Sequence, residues 1–121
     1  MRVSYSLGSL LTINQVIDCS KKLNRIKSDV IWIPETWGME NFSMMGAVAN
    51  NTTTQKIGSS IINIYSRSPS TIAMGAVTTD ILSNGRLILG LGTSSVPIVE
   101  DFHGVKFDNP VQRMKEYVEI I

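Results

Sequence analysis

Four short segments and one long loop hold the residues of this chain whose chemistry suits a small-molecule site. Ser6-Leu7-Gly8-Ser9 is small and polar, either a surface for a ligand to pass over or a simple turn. Pro34-Glu35-Thr36-Trp37-Gly38 sets a carboxylate beside an indole. Glu35 could accept a hydrogen bond from a heterocyclic ring or serve as a cap or ion-pair partner, whereas Trp37 reads as a core residue. Ser60-Ile61-Ile62-Asn63-Ile64-Tyr65-Ser66-Arg67 puts Asn63 and Tyr65 where a ligand would lie. Arg67 could bind an anion, but such an arginine more often pins its loop to a carboxylate, here one such as Asp80. Gly90-Leu91-Gly92-Thr93-Ser94-Ser95 offers close approach at its glycines and N–H and hydroxyl groups for ligand oxygens. Gly90 could instead make room for a neighbouring strand. The dinucleotide fingerprint Gly-x-Gly-x-x-Gly fails, because Ser95 and Val96 follow rather than Gly. The loop after Thr93 carries Glu100, Asp101 and His103, the last read as a structural hydrogen-bonding residue. One His and one Cys on distant segments assemble no nucleophilic triad and no zinc site.

These segments follow, or sit within, four apolar runs, VSYSL, VIWI, IGSSIINI and LILGLG, that begin near Arg2, Asp29, Lys56 and Arg86. Their spacing of about 27–30 residues is that of one βα unit. Three lack strict alternation, as strands covered on both faces do. Helical patterns fill the gaps. Thr12-Ile-Asn-Gln15 fits a capping box ahead of an apolar face of Ile13, Val16, Ile17, Leu23 and Ile26. A second helix is expected from about Phe42 to Thr52, capped by Asn41. A third starts at Ser68-Pro69 and stops at Ser83-Asn84-Gly85. A fourth starts at Asn109-Pro110 and still runs at Ile121. Strands and helices alternating over short links require parallel pairing and right-handed crossovers. Either an open doubly wound sheet or the first half of an eight-stranded barrel fits, and in both a ligand lies at the carboxyl ends of the strands.

The 121 residues read as a single unit that is itself part of something longer, since its last helix shows no C-cap. Charged residues are only 17% of the chain and hydrophobic ones 43%, so a partner could cover part of the surface. A net charge of +1 points to neither nucleic acid nor an anionic membrane. No apolar run approaches the ~20 residues of a membrane span. The first residues are not expected to form a signal peptide, because Ser4, Ser6, Gly8 and Ser9 interrupt them. Cys19 is the sole cysteine, so a reducing, cytoplasmic setting is expected. The two glycosylation sequons at Asn41 and Asn51 are therefore read as chance.

The chain resembles the luciferase-like monooxygenase superfamily over its whole length, and within it the deazaflavin-dependent branch that includes methylenetetrahydromethanopterin reductase. The resemblance rests on Trp32-Ile-Pro-Glu-Thr-Trp-Gly38, Asn63-Ile-Tyr-Ser-Arg-Ser-Pro69, Ser83-Asn-Gly-Arg-Leu-Ile-Leu-Gly-Leu-Gly92, and Glu100-Asp-Phe-His-Gly104 leading to Pro110 and Arg113-Met-Lys-Glu116. It implies the N-terminal half of a (β/α)8 barrel, with coenzyme F420 lying across the strand tips. The ring would rest near Glu35 and Thr36, against Ser60, Ile61, Ile62 and Asn63, and beside Gly92, Thr93 and Ser94. It also implies a non-prolyl cis peptide at Ser60–Ile61. The implied reaction is hydride transfer between the deazaflavin C5 and a small-molecule substrate, of which methylenetetrahydromethanopterin is one candidate. Where some relatives carry a His this chain has Thr36, and where others carry a catalytic Glu it has Ser94 and Ser95. Glu100 comes too late to take that place, so no general acid or base is assigned. Alternatives are an FMN-dependent monooxygenase of the same superfamily and a non-catalytic half-barrel that self-associates. The chain is expected to form a homo-oligomer or to need a C-terminal half.

Overall fold

A computed structural model describes residues 3–8, 10–26 and 28–121. Ser9, in the first polar segment, and Arg2, near the expected start of the first strand, lie outside the described residues. The element order is β1 (Ser4–Ser6), α1 (Ile13–Arg25), β2 (Val30–Ile33), α2 (Asn41–Asn50), β3 (Lys56–Ser59), β4 (Ile62–Asn63), α3 (Pro69–Ser83), β5 (Leu87–Ile88), β6 (Leu91–Gly92) and α4 (Pro110–Ile120). A π-helical turn, Pro97–Phe102, precedes α4. Four strands pair in the order β1-β2-β3-β5, all parallel. The third and fourth strands each continue after a break, as β4 and β6, which pair in parallel with each other. Four successive parallel strands, each followed by a helix, form half of a (β/α)8 barrel.

The breaks have visible causes. The Ser60–Ile61 peptide is cis, as the resemblance implied. Opposite it, Gly90 lies so close to Ser59 that a Cβ there would overlap the Ser59 carbonyl oxygen. Ser59 Oγ accepts from the Gly90 N–H at 2.8 Å and donates to the Gly90 carbonyl at 2.9 Å, a side-chain clasp beside the backbone bond that the same carbonyl takes from the Ile62 N–H. Of the two readings of Gly90, the second holds: it makes room for a neighbouring strand.

The core lies between sheet and helices. Ile31 and Ile33 of β2, Ile57 of β3 and Ile62 of β4 are fully buried against Val16 of α1, Met45 and Val48 of α2 and Ile72 of α3. β2 alternates in burial: Ile31 and Ile33 face the helices, while Val30 and Trp32 are half-buried on the other face. The Trp32 ring lies over Gly58, its register partner on β3, where a Cβ would collide with it. A second cluster joins Ile64, Tyr65 and Val99 to Phe107, Met114 and Tyr117, and so ties α4 to the end of the third strand.

The local signals work as expected in α1 and α3. Thr12 accepts from the Gln15 N–H while Gln15 returns the bond to the Thr12 N–H, a complete capping box. Ser68 caps α3 with Pro69 at its first position, and Asn84 in the left-handed region ends it. Two expectations need correction. Glu40, not Asn41, caps α2: its carboxylate accepts from the Phe42 and Ser43 N–H groups at 3.1 and 2.7 Å. Asn41 is instead buried, donating to the Ile33 carbonyl at 2.7 Å. Asn109 takes a left-handed conformation with no side-chain cap bond, so Pro110 alone starts α4. Among the described residues no helix is long and apolar enough to cross a membrane.

Candidate active site at the strand tips

The carboxyl ends of the strands gather around Glu35. Its carboxylate accepts a two-pronged bond from Arg67, at 2.5 and 2.8 Å, and backbone N–H bonds from Asn41 at 3.1 Å and Asn63 at 3.3 Å. Both oxygens are thus fully engaged, and the side chains of Glu35 and Arg67 are only 10% and 14% exposed. Arg67 therefore pins a loop to a carboxylate, as the sequence suggested, but the partner is Glu35, with Glu40 at 2.6 Å, and not Asp80. Asp80 lies elsewhere, accepting from the Leu87 N–H. The hydrogen bonds that Arg67 donates to Glu35 raise its pKa further, against the burial that would lower it. Burial would raise the pKa of Glu40, but bonds from Ser43, Phe42 and Arg67 outweigh it and hold the carboxyl below its usual value.

Above this ion-pair cluster lies a cavity of about 290 Å³, walled by Glu35, Thr36, Trp37, Arg67, Phe102 and His103 among others. Trp37 is half-exposed, not a core residue as expected: its ring meets only another half-exposed ring, Phe102, edge-on at 5.3 Å between centroids, outside the buried core clusters. Phe102 in turn meets His103 edge-on at 5.0 Å. The long loop after the fourth strand thus reaches across to the tip of the second and forms an aromatic wall. His103, read from sequence as a structural residue, lines the cavity.

The other expected site residues divide. Ser60 and Ile61 border an open groove of about 500 Å³ with Ser6, Trp32, Ser59 and Gly90. The Ile61 side chain rests on Gly92, where a Cβ would collide with it. Gly92 is also the register partner of Asn63, so Ile61, Asn63 and Gly92 form one contiguous patch that meets Glu35 through the Asn63 N–H. Asn63 Oδ1 accepts from the Tyr65 N–H at 2.9 Å, and its buried Nδ2 has no partner among the described residues. Ile62 is fully buried in the core and its N–H goes to the Gly90 carbonyl, so its side chain is not presented to a ligand. Thr93 borders a separate cleft of about 380 Å³ with Pro110, Val111, Met114 and Lys115. Ser94 is half-buried and in the left-handed region, with φ of 60°. Tyr65 is removed from the ligand-facing set: it is buried, stacks on Phe107, and donates its hydroxyl to the Asp108 carbonyl at 2.5 Å.

Sequence reasoning missed two anchors. Glu40 carries both the helix cap and one of the three Arg67–carboxylate bonds, a role readable from its place before an apolar helix. Arg86 sends its guanidinium to the Ala49, Thr52 and Gln55 carbonyls at 2.8–3.0 Å, closing the C-terminal end of α2 from 31–37 residues away. Nothing local marks that role.

A parallel half-barrel with a groove and a cavity at its strand tips defines the class: a TIM-barrel domain, of which this chain supplies four βα units. The luciferase-like monooxygenase family matches residues 2–121, and the chain belongs to that family. It is 37% identical over 93 residues to a Mycobacterium tuberculosis protein provisionally named a coenzyme F420-dependent oxidoreductase, covering 77% of this chain and 27% of the relative. It is 35% identical over 94 residues to 5,10-methylenetetrahydromethanopterin reductase of Archaeoglobus fulgidus, covering 77% of this chain and 28% of that enzyme. Among solved structures, the coenzyme F420-dependent tetrahydromethanopterin reductase of Methanopyrus kandleri superposes with a TM-score of 0.85 at 22% identity, over 98% of this chain and 38% of that one. The oxygenating constituent of 3,6-diketocamphane monooxygenase from Pseudomonas putida, in complex with FMN, gives 0.86 at 16% identity, over the same 98% and 38%. The chain therefore spans under a third of the length of these curated relatives.

Proposed function

We propose that this chain is the N-terminal half of the barrel of a coenzyme F420-dependent oxidoreductase that passes hydride between the deazaflavin C5 and a small-molecule substrate. The observation that carries this reading is Ile61 at the groove, seated on Gly92, together with the 35–37% identity to relatives named for F420 or methanopterin chemistry. When bound, the deazaflavin supplies the hydride chemistry. The chain's own residues provide placement. Ile61 offers an apolar surface, held in position by the absence of a side chain at Gly92. Asn63 is buried, so it serves the site through its N–H on Glu35 and its Oδ1 on the Tyr65 N–H rather than by direct contact. Ser60 adds a polar group at the groove, whereas Thr93 borders the separate cleft beside α4.

Glu35 holds the architecture instead of the proton. With four donors on its two oxygens it has no capacity left for a substrate, and Glu40 is likewise committed to Arg67 and the start of α2. The proton-handling groups left at the cavity are the Thr36 hydroxyl and the His103 imidazole. The aromatic wall of Trp37 and Phe102 suits a flat, heteroaromatic substrate such as a methylenated pterin. The lone Cys19 suits a reducing cytoplasm. The FMN reading keeps one supporting observation, the FMN-bound neighbour of nearly equal TM-score.

The test is a fluorescence titration of the protein, as its own gene encodes it, with F420 and with FMN. F420 is expected to bind and FMN not to displace it. Gly92→Val is expected to weaken F420 by about tenfold or more, because the new side chain must drive Ile61 off its seat. Equal affinity of variant and parent, or preferential binding of FMN, overturns the assignment.

A further inference from the structure

One ionisable group at the strand-tip cavity is unspent. Glu35 and Glu40 line the cavity, but their oxygens are taken by Arg67 and by backbone N–H groups. Arg67 uses both terminal nitrogens on those carboxylates and on Ser66. The Thr36 and Ser66 hydroxyls and the Trp37 indole do not change charge near neutral pH. His103, the chain's one histidine, lines the same cavity and is half-buried. Its ring makes no hydrogen bond among the described residues, yet the backbone that carries it is fixed. The His103 N–H donates to the Ile98 carbonyl and the Gly104 N–H to the Glu100 carbonyl, both at 3.1 Å. Val99 of the same π-helical turn is buried in the second core cluster, and Glu100 accepts from the Phe107 N–H at 2.9 Å. The imidazole itself is held edge-on by Phe102, which rests on Trp37. An anchored turn thus places an imidazole at the cavity with both ring nitrogens available.

We infer that His103 is the proton donor to the substrate, a role that rests on the oxidoreductase reading above and narrows its substrate to a carbon bridging two nitrogens, as in a methylenated pterin. Such a carbon accepts a hydride only after one of its C–N bonds opens. The electron pair of that bond goes to the departing nitrogen, which takes the proton from the His103 imidazolium. The carbon is left as a cationic C=N group, and the arriving hydride forms the new C–H bond. One hydride and one proton reach the substrate, the same pair that a reduced deazaflavin gives up on oxidation, so the imidazole regains its proton and the sum balances. Two carboxylates against one guanidinium leave the cavity wall with one negative charge in excess. That excess suits the cation formed once the imidazolium has given up its proton. The Trp37 and Phe102 rings supply the flat apolar wall for the rest of the heterocycle.

The protein expressed from its own gene is titrated with F420 by fluorescence and assayed for reduction of methylenetetrahydromethanopterin by reduced F420. His103→Gln is expected to bind F420 as the parent does and to turn over about 10²-fold more slowly or worse. Added imidazole is expected to restore activity to His103→Ala in proportion to its protonated fraction, which a merely structural role would not give. A readout free of the cofactor is the His103 C2–H proton resonance, assigned by its loss in His103→Gln. It is expected to shift when the product, methyltetrahydromethanopterin, is added to the parent. A parent that does not bind F420 overturns the oxidoreductase reading, and this inference with it. Where the parent binds F420, four results overturn the inference alone: a parent that leaves the methylene compound unreduced, a His103→Gln that is as fast as the parent or loses F420, a His103→Ala that imidazole does not rescue, and a resonance that does not move.

Discussion

Replacing Arg67 by methionine tests whether the strand-tip cluster is a structural clasp. Arg67→Met keeps the length and the apolar stem but removes both prongs from Glu35 and the bond to Glu40. Glu35 is then left with the Asn41 and Asn63 N–H groups as donors, on a side chain only 10% exposed. Breaking a buried ion pair by removing one partner costs about 3–5 kcal/mol, because the remaining charge stays desolvated. Some water reaches this pair, so the lower end, about 3 kcal/mol, is the expected loss. The same reasoning predicts that the double variant Glu35→Gln/Arg67→Met recovers part of the loss, with a coupling of about 2 kcal/mol in a double-mutant cycle. Urea unfolding followed by circular dichroism at pH 7 supplies all four corners of the cycle. A loss under about 1 kcal/mol for Arg67→Met, or additive single losses, would refute the view that Glu35 is an architectural carboxylate.

Gly90→Ala should destabilise the fold by about 1–3 kcal/mol in the same unfolding assay, because the new methyl meets the Ser59 carbonyl, backbone that cannot swing away. No loss would mean that the break in the third and fourth strands can relax. Glu40 should confer a pH-dependent contribution. Its folded pKa lies below the reference 4.5, so the contribution is present above that value and is lost as pH falls through the lowered folded value. The stability difference between parent and Glu40→Gln should therefore be flat from neutral pH to about pH 5.5 and shrink below it. At 46% exposure its size stays under about 1 kcal/mol. A difference that grows on acidification would contradict the assigned bonds.

What the sequence determined by itself was the repeat and its punctuation. The βα period, the parallel pairing and the stops and starts of α1 and α3 were legible because caps, glycines and prolines act over three or four residues. The capping box at Thr12 and the Ser68-Pro69 start are complete within one helical turn. The expectation that a ligand lies at the strand tips follows from that topology, and the family resemblance implied the cis step at Ser60–Ile61. What only the tertiary structure decided was which groups at those tips are free. Glu35 and Arg67 stand 32 positions apart, and Trp37 and Phe102 65 apart, so no local pattern could pair them. Tyr65 has the composition of a ligand-facing residue yet is consumed by Asp108, 43 positions on. Polar side chains satisfy their bonds wherever folding brings a partner, and burial makes that pairing obligatory. The sequence supplied the candidates; packing committed Glu35 and Tyr65 to structure, left Asn63 Nδ2 without a partner, and brought Thr36 and His103 to the cavity.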